Sequence, residues 1–330
     1  MNPAATGHRL WALAIRSVFT SSSLARRHYQ LLIAGGGSGG VGIAAKFGPK
    51  LGKGKVAVVE PHNKHFYQPY WTLVGGGLKK FKDSWKPTSS VINKNCEWIP
   101  ERIKKFYPDQ NLVVTSSGNE IKGLPEAFKT PGLCSNYHPV YVKKTFKCIQ
   151  QLKSGNVIFT FPNTAIKCPG APQKIMYMAE HYFRKYDMLH VAPPCSPPKS
   201  MEDCKELVDS TGYLDVDKFT LQHVRYPNVF GIGDCLNTPN SKTMASISKQ
   251  LKVVRKNLIS VMNNETPTAK YDGYSSCPII TDYGKGILAE FIYDCIPKET
   301  MPIDQRREMW LSYFLKREGM ARIYWYLYVR

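Results

Sequence analysis

The stretch Leu31-Leu32-Ile33-Ala34-Gly35-Gly36-Gly37-Ser38-Gly39-Gly40 decides how the chain is read. His28 to Ala34 is a short apolar run that suits a buried strand. Glycines at Gly35, Gly37 and Gly40 then show G-x-G-x-x-G spacing, and Val41 to Phe47 follows with helical composition. A second apolar run, Lys55 to Val59, ends at Glu60, twenty residues after Gly40. Strand, glycine turn, helix, strand and acid in this order form the fingerprint of a Rossmann-type dinucleotide-binding unit. Glycines let the backbone N–H groups, including those around Ser38 and Gly39, approach a pyrophosphate at the helix N-terminus. Glu60 falls where a ribose hydroxyl is bound. The predicted fold class is therefore α/β.

The turn alone does not distinguish FAD from NAD. Downstream, Asn228-Val229-Phe230-Gly231-Ile232-Gly233-Asp234 reads as a strand ending in Gly-Asp, with a helix over 241–262 behind it. Gly-Asp by itself is a common turn. Paired with the N-terminal fingerprint it resembles the second FAD motif of two-dinucleotide-domain flavoproteins, where the Asp binds the ribityl chain. FAD is the expected cofactor, with Asp234 as a contact.

A third stretch, Lys167-Cys168-Pro169-Gly170-Ala171-Pro172-Gln173-Lys174, lies between the strand-like Asn156 to Phe161 and the helix-forming Gln173 to Glu180. Cys168 thus falls in a strand-to-helix loop, near the positive end of a helix dipole, a setting that favours a thiolate. The alternative is a buried thiol acting as a small hydrophobe. Cys235 directly follows Asp234; with Asp234 on the ribityl chain it lies within reach of the flavin, and two cysteines on loops near a flavin suggest thiol–disulfide chemistry. Lys174 either holds a thiolate by its charge or is a solvated helix residue.

The chain has 330 residues, enough for more than one domain, and 43% hydrophobic residues, as globular proteins have. Its net charge of +20 suits an anionic partner. The basic residues are scattered and no nucleic-acid-binding motif accompanies them, so a membrane surface is expected and nucleic acid is not. Glu60 is the first acidic residue. Before it, Arg9, Arg16, Arg26 and Arg27 alternate with apolar residues and Ser21-Ser22-Ser23, which describes a mitochondrial transit peptide over 1–28. No run approaches the roughly 20 apolar residues that span a bilayer. Nine cysteines without a C-x-x-C pair argue against structural zinc.

The blocks Gly35 to Gly40, Glu60-Pro61, His65 to Pro69, Phe159 to Thr164, Lys167 to Lys174, Tyr226 to Cys235, Lys270 to Tyr274 and Ile287 to Phe291 resemble the mitochondrial sulfide:quinone oxidoreductase family. The resemblance implies oxidation of hydrogen sulfide, with two electrons passing through FAD to ubiquinone. The sulfane sulfur leaves on glutathione or sulfite. It implies Cys168 and Cys235 as the redox pair, with the persulfide on Cys235. FAD contacts fall on Ser38, Gly39, Glu60, Gln68, Ile103, Asp234, Lys242 and Thr243. It also implies a peripheral protein on the matrix face of the inner mitochondrial membrane. Apolar and aromatic residues from Ile287 to Val329, with Lys316, Arg317, Arg322 and Arg330 interspersed, suit a quinone-binding, membrane-interface region. A packed C-terminal core helix is the alternative.

The chain departs from the family in two places. After Asn119-Glu120-Ile121, Lys122-Gly123-Leu124-Pro125 follows where the family completes its first dinucleotide domain. At Tyr182 to Val191 a helix runs into a strand with no turn residue. The family also continues beyond Arg330. The expected organisation is a leader (1–28), an N-terminal FAD-binding part (29–121), a redox-cysteine segment with a largely truncated second dinucleotide-type domain (122–191), a second FAD-binding part (192–265) and a C-terminal quinone/membrane-facing region (266–330). A shortened isoform or an incomplete gene model accounts for this pattern. Two other functions compete. One is a catalytically inactive flavoprotein remnant. The other is a NADH:quinone dehydrogenase, which needs a second glycine fingerprint that Gly75-Gly76-Gly77 does not supply.

Overall fold

The computed structural model describes residues 17–20, 23–116, 133–151, 157–161, 167–168, 170–181, 188–190 and 195–330. The expected leader up to residue 16, the junction at 119–125, and 182–187 and 191 of the second junction lie outside these residues.

The glycine fingerprint folds as its spacing predicts. Strand β3 (Leu31–Ala34) leads into helix α1 (Ser38–Leu51), and β4 (Val56–Val59) returns parallel to β3. Strand β7 (Cys96–Ile99) extends the sheet in parallel on the far side of β4. Strand alternation sends Leu31, Ile33, Val56 and Val58 into the main core with Val41, Ala44 and Phe47 of α1. Leu32, Ala57, Val59 and Ile99 enter a second core with Leu112 and Val113. Both faces are covered, as a parallel sheet requires.

That second cover is a sheet in the order β2-β1-β9-β8. It joins β1 (Ser17–Thr20) and β2 (Ser23–Arg27) to β8 (Arg102–Tyr107) and β9 (Leu112–Ser116). Residues 17–20 and 23–27, expected within the leader, thus pair in the structure, with Ser17 to Phe19 parallel to Leu112 to Val114. Strands β5 (Lys64–Phe66) and β6 (Trp85–Pro87) form a short antiparallel ribbon on which helix α3 (Thr88–Val91) packs, and helix α2 (Trp71–Gly75) lies between the two strands in the chain.

Strands β10 (Leu133–Cys134), β11 (Val157–Phe159) and β12 (Met188–His190) form a parallel sheet with β12 in the centre. Helix α4 (Val142–Gln151) packs on it and on α2. The strand after the second junction therefore fills the middle of a small sheet. Helix α5 (Gly170–Glu180) begins at Gly170, ahead of the helix-forming run that starts at Gln173, so Pro172 lies inside its first turn. Short helix α6 (Lys199–Glu202) packs on β8.

The expected strand before Gly233-Asp234 is only an isolated bridge from Phe230 to Gln222. The expected helix behind it is present as α7 (Met244–Met262), and it packs on α1. The chain then forms a hairpin of β13 (Ser275–Asp282) and β14 (Lys285–Phe291), turning at Gly284 with φ +85°. The C-terminal segment is helical, with α8 (Trp310–Phe314) and α9 (Met320–Ile323) separated and followed by π-helical turns at Leu315–Gly319 and Tyr324–Tyr328. Among the described residues, no helix is long and apolar enough to cross a membrane.

Candidate active site

Cys168 sits at the mouth of α5 in a left-handed conformation, φ +49°. A non-glycine residue accepts that only at a cost of about 1–2 kcal/mol. Two backbone bonds hold it there: its N–H donates to Lys242 O at 2.9 Å and its carbonyl accepts from Ala171 N at 2.8 Å. In this position its Sγ lies 3.2 Å from Cys277 Sγ on β13. The expected partner, Cys235, instead directs its thiol to Ile232 O at 3.6 Å, and burial pushes its pKa up. The structure thus pairs Cys168 with Cys277, where the family resemblance led us to expect Cys235. Packing of α5 against β13 brings the two together. Gly170 makes that packing possible, since a Cβ there would stand 2.7 Å from Cys277 Sγ.

Two lysines serve this pair. Lys174, on the first turns of α5 and 1% exposed, donates from Nζ to Cys168 Sγ at 3.4 Å and to Cys277 Sγ at 3.3 Å. Of the two readings of Lys174, the structure bears out the one with its charge on the thiols. Lys316, 5% exposed in the first π-turn, is the second cation. Burial pushes its pKa down to about 8, and the charge of Lys174 adds to that, against the pull of Cys168 and Cys277. The thiol of Cys168 bonds to Cys277 and holds the Cys277 pKa well below the usual thiol range, against burial and with help from Lys174 and Lys316. The same bond, with burial, raises Cys168. Reduced, the pair shares one proton between its two sulfurs, and the bond from Cys168 favours the thiolate form of Cys277.

Cys277 forms part of the wall of an open cleft of about 220 Å³. Ser275, Cys277 and Ile279 of β13 line it with Ala289 and Phe291 of β14, and Gly170 and Gln173 of α5 close one side. Neither Cys277 nor Lys316 stood out in the sequence. Cys277 lies on an ordinary strand with no motif beside it, and Lys316 lies in an aromatic run that suits a snorkelling lysine.

The glycine turn meets the needs of a dinucleotide. Gly35 has φ +99°, and a Cβ on Gly40 would overlap Gly35 O at 1.9 Å. A Cβ on Gly37 would meet nothing within 4 Å, so the approach to the α1 N-terminus is open. No side chain caps α1 and no acid occupies its first turn. Glu60 accepts from Gly36 N and His62 N, both at 2.8 Å, and from His62 Nδ1 at 2.7 Å. These bonds outweigh its burial and lower its pKa. A Cβ on Gly39 would lie 3.0 Å from the Ile232 side chain, so the Gly233-Asp234 loop stands against the glycine turn. Asp234 pairs with Lys167 Nζ at 2.6 Å, which ties this loop to the segment carrying Cys168.

The remaining expected contacts are spread around this centre. Lys242 directs Nζ to the carbonyls of Leu236 and Thr238. Thr243 caps α7 by accepting from Ser246 N at 3.2 Å. Gln68 opens a short 3-10 turn, and Ile103 on β8 packs against the second core. Gly75, Gly76 and Gly77 abut Asn136, Met178 and Phe146, which makes them packing glycines and leaves no second nucleotide turn there. No cluster of metal-ligating side chains occurs among the described residues.

No protein-family model matches the chain. The chain is 39% identical over 394 aligned positions to "Sulfide:quinone oxidoreductase, mitochondrial" of Mus musculus, covering 93% of this chain and 87% of the mouse protein. It is 36% identical over 383 positions to the protein of the same name from Dictyostelium discoideum, covering 90% and 85%. Both alignments are longer than the 330 residues of the chain, so they open gaps in it, in keeping with the departures read from the sequence. In fold, the structure matches the sulfide:quinone oxidoreductase of Aquifex aeolicus with a TM-score of 0.68 over 89% of this chain and 90% of that one, at 16% identity.

Proposed function

The chain belongs to the sulfide:quinone oxidoreductase family, and we propose that it oxidises sulfide at the Cys168–Cys277 pair and passes two electrons through FAD to a quinone. The observation that carries this reading is the pair itself, with Sγ atoms 3.2 Å apart, a buried lysine on both sulfurs and one sulfur in a cleft wall.

In the oxidised form the two sulfurs are bonded, which requires an approach to about 2.05 Å. Hydrosulfide enters the cleft and attacks Cys277 Sγ, the sulfur the cleft exposes. The S–S bond breaks and its electron pair leaves on Cys168 as a thiolate, while Cys277 carries the persulfide. Lys174 and Lys316 hold that thiolate by charge. A sulfur acceptor, glutathione or sulfite, then takes the outer sulfur as a nucleophile and leaves a thiolate on Cys277. Closing the disulfide again releases two electrons. FAD, when bound, supplies the two-electron acceptor between the thiols and the quinone. Its holders are the Gly35–Gly40 turn with Ser38, Glu60, Gln68 and Ile103 on one side and Asp234, Lys242 and Thr243 on the other.

The quinone and the membrane are assigned to the C-terminal segment. Trp310, Leu311, Phe314, Ile323, Tyr326 and Leu327 are exposed there, an apolar surface suited to an interface. The printed names of the relatives support a mitochondrial location and the exposed apolar surface supports peripheral attachment, which we assign to the matrix face of the inner membrane.

The test is a visible spectrum of purified protein before and after sulfide, with a quinone added last. A flavin spectrum that bleaches with sulfide and recovers with quinone is the expected result. Protein without flavin, or flavin that sulfide leaves oxidised, supports the inactive-remnant reading instead.

A further inference from the structure

Tyr324, in the last π-turn, is 2% exposed, and its hydroxyl lies between two residues of the glycine-turn region. It is 3.0 Å from Ser38 Oγ and bonded to His65 Nε2. His65, 4% exposed, reaches on from Nδ1 to Gly36 O at 2.9 Å. Donor and acceptor accounting fixes the direction of this chain of bonds. A carbonyl only accepts, so Nδ1 carries the proton. Burial keeps the imidazole neutral, so Nε2 accepts. Tyr324 therefore donates to His65 and accepts from Ser38.

The chain has a consequence for the turn. Gly36 N–H is already bound to Glu60 Oε2 at 2.8 Å, and His65 now binds Gly36 C=O. In a trans peptide the C=O and the following N–H point in opposite directions. With Gly36 C=O held by His65, Gly37 N–H points away from His65. Gly37 borders open space on the side where phosphates approach the α1 N-terminus. Tyr324 is itself held, since its ring lies 4.6 Å from that of Tyr67 and stacks on Tyr328. A Cβ on Gly42 would meet Tyr328 OH at 2.6 Å, so the C-terminal segment lies directly on α1.

We propose that Tyr324 is a positioning residue for the dinucleotide cofactor: through His65 it orients the Gly36–Gly37 peptide so that its N–H faces the pyrophosphate. The proposal rests on the FAD reading above. The test titrates FAD into apoprotein of wild type, Tyr324→Phe, His65→Asn and the double variant, following flavin fluorescence, and records the phosphorus NMR spectrum of bound FAD. Tyr324→Phe keeps the ring and removes two hydrogen bonds, so FAD should bind about tenfold more weakly. The pyrophosphate resonances should move. Because both residues act along one path, the double variant should lose no more than either single one.

Unchanged affinity and phosphorus spectrum in folded Tyr324→Phe would overturn the proposal, as would additive losses. Tighter FAD binding would overturn it too, since the segment would then compete with the cofactor. If Tyr324→Phe does not fold, His65→Asn carries the test alone, since it breaks the link from Tyr324 to the Gly36 carbonyl: the same resonances should move, and an unchanged spectrum would overturn the proposal. Wild type that takes up no FAD would refute the flavin reading itself, and this proposal with it.

Discussion

Cys168 Sγ and Cys277 Sγ stand 3.2 Å apart although 109 residues separate them. The contact depends on the left-handed backbone of Cys168, on α5 meeting β13, and on the absence of a side chain at Gly170. Cys168→Ser and Cys277→Ser should each slow sulfide-dependent bleaching by roughly three orders of magnitude or more, because two sulfurs acting as a unit fail together. Cys235→Ser should retain bleaching within about twofold of wild type by the same reasoning, since Cys235 lies outside that unit. Stopped-flow absorbance checks all three. Loss of bleaching in Cys235→Ser with retention in Cys277→Ser would reverse the assignment.

Lys174 is the shared cation of the pair, and its ammonium is held above the usual lysine range because the two sulfurs outweigh the cost of burial. Removing it in Lys174→Ala takes a charged hydrogen bond from each sulfur. The Cys277 thiolate should then titrate at a higher pH, and persulfide formation at neutral pH should slow by about 10- to 100-fold. Ultraviolet thiolate absorbance across pH gives the first effect and rapid-mixing kinetics the second. An unmoved thiolate titration would remove Lys174 from this role.

Gly40 tests the cofactor turn from the other side of the site. A Cβ there would lie 1.9 Å from the backbone oxygen of Gly35, which cannot move without opening the turn. Gly40→Ala should be purified with little or no flavin, and added FAD should bind at least about 100-fold more weakly, the loss expected when several backbone hydrogen bonds go together. Flavin content per chain measures this. Gly37→Ala, facing open space in the structure, separates the two causes: it should fold normally and weaken FAD only by occupying the phosphate approach.

What was legible in the sequence was local. Gly35 to Glu60 could be read because strand, turn, helix and acid lie within one short unit whose spacing is set by backbone geometry. Helices α5 and α7 could be read from composition and Pro-Gly punctuation. The strand before Gly233 could not, because Val229 and Phe230 are apolar but lie in a loop with a single bridge. The partner of Cys168 could not be read either. Adjacency to Asp234 favoured Cys235, whereas the actual neighbour depends on where a hairpin more than a hundred residues away meets α5. Lys316 was hidden for a related reason. Near Tyr313, Phe314 and Leu315 a lysine reads as one that reaches for water, and only the fold shows it buried where the charges of Lys174 and the two cysteines act on it.

Lys316 makes the last prediction, and its sign follows from linkage. Its pKa in the folded chain is about 8, against an ordinary 10.5. Below pH 8 both folded and unfolded chains carry the proton, and the fold bears the full cost of a buried charge beside Lys174. Between pH 8 and 10.5 the unfolded chain binds more protons than the folded one, so this contribution to stability rises with pH. Lys316→Met should therefore be more stable than wild type by about 3 kcal/mol below pH 8, and the gain should fade toward pH 10.5. Urea unfolding of both proteins at the two ends of that window measures it. The reaction should show the opposite cost. Wild type should lose persulfide-forming rate as pH rises through 8, when a cation beside the leaving thiolate is lost, while Lys316→Met should start slower and lack that step. A variant that is both less stable below pH 8 and unchanged in its rate profile would mean that Lys316 is a packing residue and that Lys174 alone stabilises the thiolate.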